Sequence, residues 1–176
     1  MKKNVTLQRM FVLITFTLML ALLIPVIANA QAGKADFTGK WALNQDKSKL
    51  GENQGAARMM GGDVLVKQEA NLLSVERTRT NQNGESVTTT MKYTLDGKES
   101  VNTSQRGDSK SVATWSADGK SLSIATSRTF DMNGEKMTMN STEVWSRTDA
   151  STLTVNSTRQ GRDGEEIKVT LVYDKK

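Results

Sequence analysis

Apolar and polar residues alternate along most of the chain, which is the pattern of β-strands that bury one face. Residues 120–147 show it most clearly. Leu122, Ile124 and Thr126 share one face of a predicted strand, a turn follows at 131–134, and a second strand returns through Trp145. The pattern predicts a β-hairpin.

One signature recurs in this hairpin and in two other places. It is Leu-x-(Ile or Val)-x-x-x-Arg, and its copies end at Arg79, Arg128 and Arg159. A glycine that can form a turn follows each copy within six residues: Gly84, Gly134 and Gly164. The repetition indicates that one type of hairpin is used several times.

The remaining chain contains further alternating segments joined by short turn sequences. Outside the 120–147 hairpin, the predicted strands are 37–43, 63–68, 71–79, 87–95, 99–104, 109–115, 152–159 and 167–173. No helical crossover separates them, so parallel pairing is not expected. We predict an all-β fold, an antiparallel up-and-down meander of about ten strands that closes into a barrel. A flattened barrel or a β-sandwich is the alternative.

The long polar stretch at 44–62 interrupts this pattern. Residues 54–60 have the composition of a short helix, and Arg58, Met59 and Met60 lie within it. A loop of this length is expected to be either a lid or a disordered segment.

The first thirty residues have the three parts of a secretory signal peptide. They are a basic start, an apolar run from Phe11 to Ile27, and the small-residue cleavage site Ala28-Asn29-Ala30. A membrane anchor is the alternative. We therefore expect residues 1–30 to be a signal peptide, residues 31–176 to be a single domain, and the protein to be exported to the periplasm or the medium.

Charge and composition exclude several functions. Removing residues 1–30 lowers the formal net charge from +5 to +2, which leaves little electrostatic support for nucleic-acid binding. The chain contains no His and no Cys, so the usual general base, thiol nucleophile and soft metal ligands are missing. We expect no enzyme activity, no metal site and no cofactor. We also expect no membrane span after cleavage.

The first predicted strand carries a Gly-x-Trp motif at Gly39 and Trp41. With a following loop and a meander, this resembles the calycin group of lipocalins and fatty-acid-binding proteins, and especially bacterial exported lipocalin-like domains. The resemblance implies a barrel whose Trp packs across the closed end. Lipocalins usually set an Arg of the last strand against that Trp. Here the last strand offers only Lys168, Lys175 and Lys176.

Strand direction and parity assign the three repeated arginines to one place. In a meander, Arg79, Arg128 and Arg159 end strands of the same direction, so they should lie at one mouth of the barrel, near Arg58. Each is six residues after its Leu, an even offset, and should face inward. Guanidinium groups match carboxylates and phosphates. Solvated strand ends are the alternative, with Glu143 placed to neutralise an Arg.

Below these arginines, we expect apolar side chains to line a cavity for an acyl chain: Met91, Tyr93, Met139, Trp145 and Leu171. The aromatic and Met side chains have a second interpretation as ordinary core. The sequence therefore predicts an exported, non-catalytic binding protein for a small hydrophobic or amphipathic anion of fatty-acid type. The alternative is a structural or protein-interaction module of the cell envelope that binds no ligand.

Overall fold

The computed structural model describes residues 33–50, 62–80, 83–104, 107–132, 134–161 and 164–176. These residues form strands and turns, and no part of them is a helix that could cross a membrane. The ten strands are β1 (Gly39–Lys49), β2 (Asp63–Gln68), β3 (Leu72–Thr80), β4 (Ser86–Thr94), β5 (Glu99–Ser104), β6 (Gly107–Trp115), β7 (Ser121–Met132), β8 (Glu135–Arg147), β9 (Thr152–Gln160) and β10 (Glu166–Lys175).

All ten strands belong to one antiparallel sheet, in the order β4-β3-β2-β1-β10-β9-β8-β7-β6-β5. Chain neighbours are sheet neighbours throughout, and β10 pairs with β1, so the sheet curls into a nearly closed barrel. The predicted all-β meander is confirmed. The β3–β4, β5–β6, β7–β8 and β9–β10 turns all lie at one end, which we call the mouth; the other end is the closed end.

The first strand is longer than predicted. It continues to Lys49, although 44–49 was assigned to a polar loop. The ladder with β10 shifts register between Asn44 and Lys49, and Ser48 repairs it by accepting a hydrogen bond from Val172 N at 3.0 Å. The Asn44 side chain donates to Asp174 at 2.6 Å. Polar side chains thus support a bulged strand here, which the alternation rule does not detect.

Aromatic residues fill the closed end. Phe37 stacks on Trp115 with ring centroids 5.8 Å apart and meets Trp145 edge-on at 5.9 Å. Trp41 is fully buried, and its indole N–H donates to the Phe37 carbonyl at 2.9 Å. Gly39 has φ +149°, and a Cβ there would lie 3.2 Å from Lys175 Cε. The Gly-x-Trp motif therefore lets the last strand pass close to the indole.

Two cations lie against the Trp41 ring, in an arrangement that differs from the last-strand Arg usual in lipocalins. Arg147 at the end of β8 lies 5.8 Å from the ring centroid, and Lys175 of β10 lies 5.6 Å from it. Arg147 also donates to the Asp36 carbonyl at 2.6 Å. The cations against the Trp41 ring are therefore a Lys of the last strand and an Arg from two strands away.

Side chains rather than a backbone ladder join the two edge strands, β4 and β5. The Asn102 amide accepts from Lys92 N at 2.8 Å and donates to Lys92 O at 2.9 Å, so it imitates a peptide group of a neighbouring strand. Ser100 accepts from Thr94 N at 2.8 Å. These contacts form a seam that satisfies part of each exposed edge.

Replacing Asn102 with Ala should loosen the seam. Loss of two hydrogen bonds is expected to lower the free energy of unfolding by about 1–2 kcal/mol, measured by urea denaturation. Hydrogen exchange at the Lys92 amide should become faster. Asn156→Ala, which removes an exposed acceptor for Thr170 on the outer face, is the control and should change stability little. Equal exchange at Lys92 in both variants would contradict the assigned role of Asn102.

Candidate functional site

The inner wall changes character between the closed end and the mouth. Leu73, Leu122, Trp145, Leu153 and Leu171 near the closed end have at most 1% exposure. Several inward positions closer to the mouth are only partly buried, and many of these are polar or basic: Arg79, Met91, Thr126, Arg128, Met139, Ser141 and Arg159. The closed half is therefore apolar core, whereas the wall of the mouth half is largely polar and basic and is exposed in part.

An ion pair crosses the barrel at the boundary between these halves. Arg77 Nη2 lies 2.9 Å from Glu143 Oε2, and each side chain is 23% exposed. Arg77 is on β3 and Glu143 on β8, and four strands separate them in either direction around the sheet. The pair therefore joins opposite walls. We call it the crossbar.

Two aromatic side chains hold the crossbar in place. Trp145 Nε1 donates to Glu143 Oε2 at 2.9 Å, Arg77 Nη1 donates to the Tyr173 hydroxyl at 3.3 Å, and the Arg77 guanidinium lies 5.6 Å from the Trp145 ring centroid. Burial favours the neutral form of Arg77, but the Glu143 charge and the Tyr173 hydroxyl outweigh it and hold the pKa of Arg77 above its usual range.

Both tyrosines near the crossbar are shifted in the same direction. Burial, reinforced by the Glu143 charge, raises the pKa of Tyr93, and Arg77 offsets only part of this effect. Burial also raises the pKa of Tyr173, against the opposing effect of Arg77. Both hydroxyls are therefore kept protonated well beyond neutral pH.

Hydroxyl groups line the wall on the mouth side of the crossbar. Ser157 lies directly opposite Glu143 in the β8–β9 ladder and is 3% exposed, and its Oγ has no hydrogen-bond partner. Ser111 and Thr126 hydrogen-bond to each other at 2.9 Å, and Ser109 donates to Asn102 O at 3.2 Å. This part of the interior is polar.

The three repeated arginines lie near the mouth end of their strands. Arg128 pairs with Met139 and Arg159 with Ser141, so these two arginines flank β8 on either side. Arg128 donates to Ser104 Oγ at 3.0 Å. Arg79 pairs with Val87 on the other wall, and three strands lie between its strand β3 and β9. The fold brings two of them onto neighbouring strands around β8 and leaves the third across the opening.

Arg159 occupies a notch in the rim where β8 leaves β9. The notch is lined by Asn140, Thr142, Gln160 and Glu166 together with Arg159. The Arg159 Nε is buried without a hydrogen-bond partner. Its side chain thus lies at the border between the interior and the rim.

The proposed apolar wall is divided by the crossbar. Tyr93, Trp145 and Leu171 belong to the buried core, at 8%, 1% and 0% exposure. Met91 and Met139 are partly exposed in the mouth half. Met137, interpreted from the sequence as a core filler, is instead 37% exposed at the mouth. The predicted helix at 54–60, with Arg58, Met59 and Met60, lies outside the described residues.

Arg77 was missed by the sequence analysis although the signal for it was present. It lies four residues after Leu73, an even offset, and so shares the inward face with Leu73 and Val75. The sequence correctly placed Glu143 inward as a partner for an arginine. The partner is Arg77 rather than one of the three repeated arginines.

The comparisons with known proteins support the fold and nothing finer. No family model matches the chain, and no curated protein matches it. Two solved structures that it resembles are mutants of the fluorescent protein UnaG. The Asn-to-Ala mutant is 19% identical with TM-score 0.51, over 80% of this chain and 96% of that one. The Asn-to-Gln mutant is 16% identical with TM-score 0.50, over 79% and 95%. The likeness shows that the β-barrel fold of this chain is shared with these two structures.

Breaking the crossbar should destabilise the domain. Arg77→Met or Glu143→Leu leaves one charge without its partner, which costs about 3–5 kcal/mol in a fully buried pair; the partial exposure here should reduce this cost. Urea denaturation of both single variants and the double variant would measure the coupling. We expect the double variant to lose less than the sum of the singles.

A surface pair provides the control for that cycle. Lys110 and Glu99 are 3.2 Å apart with side chains 63% and 50% exposed, so their coupling should lie between about 0 and 1 kcal/mol. Additive effects at Arg77 and Glu143 would show that the crossbar contributes nothing as a pair.

The tyrosine environment predicts a distinct alkaline titration. The chain has two tyrosines, Tyr93 and Tyr173, and their pKa values are raised by folding. The unfolded chain releases these protons near its ordinary pKa of about 10, so stability should be complete below that pH and fall above it. Tyrosinate absorbance at 295 nm, followed with far-UV circular dichroism, checks this. Ionisation near pH 10 in a chain that remains folded would contradict it.

Proposed function

We propose that this domain is an exported, non-catalytic binding protein that holds a small amphipathic anion of fatty-acid type in the mouth half of its barrel. The observation that carries the proposal is the change in the inner wall at the crossbar. Buried apolar residues such as Leu122 and Leu171 lie on one side, and a polar and basic wall that is partly exposed at Arg128, Met139 and Arg159 lies on the other. A concave site with few charged groups is typical of small-molecule binding.

Charge favours an anion. Glu143 is paired with Arg77, so within the described strands the crossbar adds no net charge to the inner wall. Arg128 and Arg159, on the two strands that flank β8, add two guanidinium groups to the wall of the mouth half. The hydroxyl groups of Ser157 and Thr126 can donate hydrogen bonds to a carboxylate. The paired N–H donors of guanidinium groups, together with these hydroxyl donors, suit a carboxylate head group.

The packing favours a head-inward orientation. The sequence analysis placed the acyl chain beneath the arginines, but Trp145 and Leu171 leave no exposed surface there. The apolar part of the ligand must then point towards the mouth, where Met139 and Met137 are accessible. In this arrangement the head group lies among Arg128, Arg159 and the hydroxyl groups of the wall, on the mouth side of the crossbar.

Export and the absence of catalysis are parts of this proposal that rest on the sequence. The signal-peptide pattern at 1–30 supports export, and the lack of His and Cys supports a role in binding. A ligand-free interaction module is the second candidate. It is favoured by Val101 and Val112, which are 57% and 37% exposed and lie diagonally opposite on the outer face of β5–β6.

Binding of dodecanoate, measured by calorimetry, tests the proposal. We expect dodecanoate to bind more tightly than dodecanol or dodecyltrimethylammonium, because only the carboxylate can pair with the arginines. Arg128→Ala/Arg159→Ala should weaken dodecanoate binding by about tenfold or more, since charged hydrogen bonds contribute about 1.5–3 kcal/mol each. Lys110→Ala/Lys168→Ala removes the same charge from the outer face and should change little. Equal binding by both double variants would contradict the site.

The same ligand tests the orientation. All three tryptophans lie on the closed-end side, and Trp145 bonds to Glu143. Bromine quenches indole emission at short range, so 2-bromododecanoate should quench tryptophan emission more strongly than 12-bromododecanoate. The opposite order would show that the chain enters first, and no binding of any of these compounds would leave the interaction module as the better candidate.

A further inference from the structure

The β7–β8 hairpin extends past its neighbours at the mouth. The ladder between β6 and β7 ends at the Ser109–Arg128 pair, and the ladder between β8 and β9 begins at Ser141–Arg159. Farther out, the described residues of the hairpin pair only across the hairpin itself, as in Phe130 with Met137. We call residues 130–132 and 134–137 the flap. They form a two-stranded ribbon at the edge of the opening.

The two faces of the flap differ in chemistry. Phe130 and Met137 continue the inward parity of Arg128 and Met139, and Met137 is 37% exposed while Phe130 is partly exposed. Just below it, Thr129 and Thr138 lie on the outward face and hydrogen-bond to each other at 3.2 Å. Apolar surface on this ribbon is thus directed to the side of the opening.

We propose that the inner face of the flap, Phe130 and Met137, is the contact surface for the apolar end of the ligand. This inference rests on the proposed function. A ligand whose carboxylate lies at the level of Arg128 has its far end directed to the mouth. Two residues of strand place Phe130 about 7 Å beyond Arg128. The flap is therefore at the height that a long chain reaches and a short chain does not.

Continuity with the arginine level supports this assignment. Arg128 and Met139 are a cross-strand pair, and Phe130 and Met137 are the next inward pair on the same two strands. Basic and apolar groups therefore follow each other along one wall, in the order of the head and tail of an amphipathic anion. The ring of Phe130 and the flexible thioethers of Met137 and Met139 can adapt to apolar groups of different shape. The flap should set chain-length preference more than head-group preference.

Chain-length dependence tests the flap. Phe130→Ala/Met137→Ala should raise the dissociation constant of dodecanoate about tenfold and leave that of propanoate, which is too short to reach the flap, unchanged. Thr129→Ala/Thr138→Ala, on the outer face at nearly the same height, is the matched control and should leave both unchanged. Far-UV circular dichroism and thermal melting establish that each variant is folded. An equal loss for the two ligands, or no loss for dodecanoate, would overturn the assignment.

A tryptophan placed in the flap gives a second measurement that does not depend on affinity. In Phe130→Trp, 7-bromododecanoate, whose bromine lies at the height of the flap, should quench the added emission, and 2-bromododecanoate should quench it less. The reverse order would overturn the flap contact. If the wild-type protein binds dodecanoate but the flap variants behave like it, only this inference fails. If the wild-type protein binds no dodecanoate, the proposed function fails and this inference fails with it.

Discussion

The ion pair between Arg77 and Glu143 determines how the interior of this barrel is divided. Two opposite walls contribute one charge each, and the pair is formed where the interior changes from packed core to solvated space. A charge at this depth is tolerated because its partner and its hydrogen bonds replace the lost water. Trp145 and Tyr173 supply these bonds from the core side. The crossbar thus lies between the packed core of the closed half and the polar wall of the mouth half.

This division separates the residues that stabilise the fold from those that remain available for binding. The closed end is held by aromatic packing and by the cations around Trp41, and it has no exposed interior. The mouth half contains polar side chains that packing does not require. Ser157 Oγ and Arg159 Nε have no hydrogen-bond partners, which is costly for buried polar atoms. Such groups are common where a protein is built for something other than stability.

Strand number, order and facing could be predicted from the sequence because they follow from local alternation and short turns. Parity placed Glu143 on the inner wall, where it contacts Arg77 and Trp145. It could not show that Arg77 reaches Glu143, because this contact crosses the barrel and depends on its curvature and the stagger of its strands. The extension of β1 was also missed, since Ser48 and Asn44 maintain it with side-chain hydrogen bonds rather than with an apolar pattern.

The seam between β4 and β5 closes the ring in a different way from the other strand pairs. Between the other neighbouring strands, widening the ring would separate a backbone ladder along its length. At the seam, the side chains of Asn102 and Ser100 hold the strands together. Separating β4 from β5 would therefore break side-chain hydrogen bonds and leave the backbone ladders of the sheet in place.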